Sequence, residues 1–187
     1  MKQLKGTYVI QQLDIVRVKE NFLNNTIWPD FSKIPLTLSG EMPVAYTELE
    51  LNKEYSIGKD ESIRAFKTDY TVASGGYIYT KKNASVLITA DTHSLDSAIK
   101  EINENKNISS IVVECSFPSE MRELAINSKH LTPELLFLKL KAIKREDIVL
   151  YIHHIKPAFF KKISDEIAIY KGEWETKILE DGFFVNF

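Results

Sequence analysis

The sequence predicts an α/β domain built on a mixed β-sheet, and three observations carry that expectation. First, "SVLITAD", "ISSIVVEC" and "DIVLYIHH" are unbroken apolar runs of strand length, as strands buried on both faces require. Second, segments with helical periodicity alternate with them, the pattern of a layered α/β sheet. Third, the short segments "AYTELELNKEYSI", "ESIRAFKTD" and "GGYIYT" precede them, alternate in polarity and are separated by Asn-Lys, Gly-Lys and Gly-Gly. Those segments read as antiparallel strands joined by tight turns.

The elements follow in chain order. "TYVIQQLDIVRVKENFLN" carries Val9, Ile10, Leu13, Val16 and Phe22 at roughly helical spacing, which predicts one or two helices. "NNTIWPDFSKIP" breaks regular structure with Asn, Asp and two prolines, and Trp28, Phe31 and Ile34 are expected to pin it to the core. "SLDSAIKEINEN" is an amphipathic helix with Leu95, Ala98, Ile99 and Ile102 on one face. "SEMRELAINS" and "TPELLFLKLKAI" are two more, the second opened by Thr132 as N-cap with Pro133 at the first helical position. "PAFFKKISDEIAIY" starts on Pro157, and "TKILEDGFFVNF" closes with a turn at Asp181-Gly182 between two short strands.

Composition narrows the class. A chain of 187 residues with 44% hydrophobic content suits one domain over 1–187 with a substantial core. A formal net charge of −2, from 24 basic and 26 acidic residues, supplies no basic footprint for nucleic acid. No apolar run approaches a membrane span, and "MKQLKGTYVIQQLD" is too polar for a signal peptide. The lone Cys115 sits in an apolar run and reads as a buried, inert thiol in a reducing cytoplasm.

Function in open α/β sheets gathers where strands end. Here "SVLITAD" ends on Asp91, "ISSIVVE" on Glu114 and "DIVLYIHH" on His153 and His154, while His130 stands between two helices. Two carboxylates and two histidines on one edge could form a metal site or an acid–base site. Each also has a structural reading: Asp91 as a helix cap, Glu114 in a buried ion pair, His130 as a pre-cap residue. His153 and His154 should point to opposite faces of the strand, so only one is expected to reach a given site.

The series "TADT", "IVVECSFPSEMRELAINSKHLTPELL" and "YIHHIKP" resembles the C-terminal part of metallo-β-lactamase-fold phosphodiesterases. The match is to the class II cyclic-nucleotide phosphodiesterase type, with ribonuclease Z as a more distant relative. "NNTIWPDF" and "YTVASGGYIY" resemble segments of the same family in the same order. The resemblance implies an incomplete αβ/βα sandwich and a cytoplasmic hydrolase of a small cyclic nucleotide using two zinc ions. It implies Asp91 as bridging metal ligand, His154 as ligand of the second ion, and His130 as general acid, held as imidazolium by Glu114. The family's His-x-His-x-Asp-His motif is missing, since histidine occurs only at 93, 130, 153 and 154. Tyr70-Thr71 stands where the family often reads His-Thr, and His93 is either a substitute ligand or a solvent-facing residue at a helix start. These departures imply a truncated, partly degenerate relative. The alternative is a non-catalytic nucleotide-binding or protein-interaction module, with a possible homo-oligomer covering an exposed sheet edge.

Overall fold

The computed structural model describes residues 6–187, with side chains from Ile15 onward, and falls into two compact units, up to Lys53 and Glu54–Phe187. Residues 1–5, part of the stretch too polar for a signal peptide, lie outside it. So do the side chains of Val9, Ile10 and Leu13.

In the first unit, strand β1 (Gly6–Gln11) runs into helix α1 (Gln12–Asn21), and β1 pairs in parallel with β2 (Val44–Leu49). The sequence expectation of helix from Thr7 onward is thus corrected for its first half. "TYVI" is β-branched and aromatic, and pairing with β2 decides in favour of extended backbone. β2 is corrected too, since it joins this parallel pair and no antiparallel meander. Trp28, Phe31 and Ile34 do not pin a core: they are 52%, 37% and 43% exposed, and Trp28 stacks on Phe22. Polar groups hold that segment instead. Asn24 Oδ1 accepts from the Thr26 and Ile27 amides, and the buried Asp30 accepts from Ser32 and Lys33.

The second unit carries a seven-stranded sheet in the sequential order β3 (Glu54–Gly58), β4 (Glu61–Lys67), β5 (Gly75–Lys81), β6 (Ala84–Ile88), β7 (Ile108–Glu114), β8 (Val149–His153) and β9 (Thr176–Ile178). Pairing is antiparallel from β3 to β6 and parallel from β6 to β9, the mixed sheet that the sequence predicts. Short turns join β3 to β4 and β5 to β6, a longer loop over 68–74 joins β4 to β5, and each parallel step needs a crossover. Helix α2 (Asp96–Glu104) makes the crossover from β6 to β7; α3 (Arg122–Asn127) and α4 (Pro133–Leu140) make the one to β8; α5 (Phe160–Tyr170) makes the one to β9. Only one strand forms at the C-terminus: after the Asp181-Gly182 turn the chain stays irregular, with Phe184 84% exposed.

One core joins Leu87, Ile111, Val113, Leu150 and Ile152 of the central strands to Leu95, Ala98 and Ile102, to Leu136 and Leu140, and to Ile163 and Ile167. Gly76 marks the tightest approach in the sheet. A Cβ there would lie 2.3 Å from Phe66 Cζ and 2.6 Å from the Ile88 carbonyl, so only glycine fits. No helix among the described residues is long and apolar enough to cross a membrane.

Candidate metal and acid–base site

Because β6, β7 and β8 are parallel, their carboxyl ends open on one edge. Glu114 and His153 are register partners, so the last residues of β7 and β8 lie side by side. Asp91 follows β6 by three residues, after the left-handed Ala90 (φ 53°). It does not cap α2, whose first amide, that of Asp96, donates instead to Ser94 Oγ at 3.2 Å.

His130 arrives from α3. The Lys129 amide donates to the Ile126 carbonyl at 3.1 Å and the His130 amide to the Ala125 carbonyl at 2.8 Å, a Schellman closure with Lys129 (φ 60°) in the left-handed position. His154 is also left-handed (φ 61°). That twist, just past the end of β8, turns its ring into the site. His153, still on the strand, remains half-buried with Nε2 unpartnered. Ala90 and Lys129 thus directly precede Asp91 and His130, and His154 is itself left-handed. Such strain costs about 1–2 kcal/mol per residue and persists where surroundings enforce it.

The four predicted residues meet. Glu114 Oε1 lies 2.9 Å from His130 Nδ1, both groups buried. Asp91 Oδ2 lies 3.6 Å from His154 Nε2, and the His130 and His154 rings stack with centroids 5.3 Å apart. Glu114 also accepts from the Thr92 amide and from Ser116 Oγ, at 3.3 and 3.0 Å. Burial pushes its carboxyl up to about 8 despite those donors, and burial lowers His130. Both directions favour a neutral carboxyl–imidazole pair, where the resemblance implied carboxylate and imidazolium. Either way one proton is shared across the 2.9 Å contact.

Several residues have roles that the sequence did not show, and His93 takes neither of the two it suggested. Tyr70 is in hydrogen-bond reach of His130 Nε2, at 3.3 Å, with its ring edge-on to the imidazole. Its phenol is raised, first by burial and then by Asp91, which keeps it a neutral hydroxyl. Among the described residues His93 joins no metal cluster: its Nδ1 sits 2.9 Å from the His130 carbonyl and braces that backbone. Asp69 accepts the His93 amide on its carbonyl and pairs with Lys129 at 3.1 Å. Lys156, the lysine of "HIKP", places Nζ 3.3 Å from His154 Nε2.

Asp91, His130 and His154 each offer one donor atom, all within 4.8 Å of one another. A tetrahedral ion with bonds of about 2.0–2.2 Å holds its donors roughly 3.3–3.6 Å apart. The Asp91–His154 pair at 3.6 Å already has that spacing, and with a small inward movement of His130 the set could hold one ion with a position left open. Two ions do not fit. Three donors among the described residues cannot supply three protein ligands to each.

No family model matches the chain, and no curated protein matches it. Solved structures do. The metallo-β-lactamase fold protein YhfI from Bacillus subtilis superposes with a TM-score of 0.68 at 16% identity, covering 95% of this chain and 63% of that one. The chain has the metallo-β-lactamase fold. Zn(II)-bound PqqB from Methylobacterium extorquens matches this metallo-β-lactamase-fold chain at TM-score 0.63 and 13% identity, over 97% of it and 62% of PqqB. The short form of human tRNase Z matches at 0.52 and 15%, over 76% and 51%. The chain therefore spans about 63% of the length of the first of these structures.

Proposed function

We propose that this chain is a metal-dependent hydrolase of a small phosphodiester, of the 3',5'-cyclic-nucleotide type, working in the cytoplasm. One observation carries the reading: the Glu114–His130 pair at 2.9 Å opens directly onto the Asp91–His154 pair at 3.6 Å. Asp91 and His154 would hold a zinc ion. A divalent ion there supplies Lewis-acid polarisation of a phosphoryl oxygen and a water acidic enough to ionise near neutral pH. His130 presents Nε2 to the same point and is the proton donor to the departing ribose oxygen. Glu114 fixes the tautomer from behind and returns the proton to Nδ1 as negative charge approaches. Tyr70 positions the imidazole and excludes water from its edge. The near-neutral net charge favours a small substrate over a long nucleic acid. The sheet ends on β3 and β9, and a second copy covering one of those edges is the proposed oligomer.

The test is hydrolysis of bis-p-nitrophenyl phosphate and of cyclic AMP and cyclic GMP, with metal content measured on the same samples. Zinc at about one per chain with turnover is expected, and Asp91→Ala should lose both. His130→Ala should keep the zinc and lose about 10²–10⁴-fold in kcat. The convergence of three donors favours a second assignment, His130 as third ligand, and zinc lost from His130→Ala would establish it. A metal-free, inactive wild type would leave the nucleotide-binding or interaction module, which thermal shifts with cyclic AMP would detect.

A further inference from the structure

Resting on the metallohydrolase reading, we propose that Lys156 is the anion-binding residue of the site, parked on His154 Nε2 until an ion takes that atom and then released to hold the phosphate of the substrate. The Lys156 ammonium donates to His154 Nε2 at 3.3 Å, which makes that nitrogen the acceptor and occupies its lone pair. Nε2 is also the atom that faces Asp91 at 3.6 Å and completes the donor cluster. An imidazole nitrogen has one lone pair, so ammonium and metal cannot share it.

Among the described residues no carboxylate forms an ion pair with Lys156, whereas Lys129 and Lys162 nearby are paired with Asp69 and Glu120. Its charge lies 5.9 Å from the Phe117 ring centroid, at cation–π range, and Phe117 stands edge-on to His130 at 5.8 Å. The displaced ammonium would stay beside the donor cluster, between His154 and the Phe117 face. The backbone limits its sweep: Lys156 is extended (φ −65°, ψ 126°) and locked by Pro157 after it. A phosphodiester whose reacting group sits over Asp91 and His130 would present a non-bridging oxygen to this cation. Lysine serves such sites as a mobile point charge.

The experiment uses zinc alone and inorganic phosphate as probes, on wild type, Lys156→Met and Lys156→Arg, with circular dichroism confirming the fold. Zinc affinity should hold or rise in Lys156→Met, because the competitor for Nε2 is gone. Phosphate affinity for the zinc-loaded protein should fall by about tenfold or more, and arginine should restore most of it. Equal phosphate affinity in Lys156→Met and wild type would overturn the proposal, as would a loss of zinc affinity in that variant. If wild type takes up no zinc, the metallohydrolase reading fails by itself. Phosphate bound by zinc-free wild type but not by Lys156→Met would then support the anion role, and no phosphate binding at all would end it.

Discussion

Glu114 shows how one buried carboxyl sets the pH behaviour of a site. Its folded pKa, raised to about 8 mainly by burial, lies above the value of about 4.3 for an unfolded glutamate. The stability it contributes is therefore fully present below about pH 4.3 and is lost as pH rises through about 8. His130 and His153 are both lowered by burial, so they act oppositely and lose stability as the medium turns acid. Glu114→Gln should isolate the first effect. Its unfolding free energy, from denaturant titrations between pH 5 and 9, should gain on wild type by a few kcal/mol across that range. Parallel curves would show that the carboxyl titrates normally. If the shared proton serves the reaction, kcat/KM of wild type should fall above about pH 8.

Elements matter here chiefly through how they end. Asp91, His130 and His154 are all set by left-handed residues at or just past the ends of β6, α3 and β8. Lys129 occupies a Schellman position usually taken by glycine, and its compensation is a half-exposed ion pair with Asp69. Lys129→Gly should stabilise the fold by about 0.5–1 kcal/mol net while loosening the approach of His130. Thermal melts would read the first effect and turnover the second. A variant less stable than wild type would mean that the Lys129–Asp69 contact outweighs the backbone strain.

Across the whole molecule the site joins residues from three separate crossovers, each tied to the sheet by one loop. An ion held by Asp91 and His154 would cross-link segments 63 residues apart, and would stabilise only the folded chain. With zinc at about 100 times its dissociation constant the gain is about 2.7 kcal/mol, or roughly 5–10 °C in Tm for a chain of this size. Chelator added to zinc-loaded protein should lower Tm by that amount. In Asp91→Ala the chelator should change nothing.

Some of this was legible without coordinates. The unbroken apolar runs determined β6, β7 and β8 and therefore a buried parallel core, since strands covered on both faces have no polar alternation to show. Thr132-Pro133 determined the start of α4, where Thr132 Oγ1 accepts from the Leu135 amide, because capping chemistry is local. Reading Asp91, Glu114 and His154 at the ends of the apolar runs pointed to the sheet edge where Glu114 reaches His130 and Asp91 reaches His154. Only the tertiary structure decided that Gly6–Gln11 is a strand, since its partner lies more than thirty residues away and helical spacing alone cannot weigh that pairing. It also decided the roles of Tyr70, His93, Ser116 and Lys156, whose contacts with His130, Glu114 and His154 arise from loops brought together by the sheet. Local periodicity records which face a residue prefers; it holds no record of which loop will stand opposite, and the site is made of those meetings.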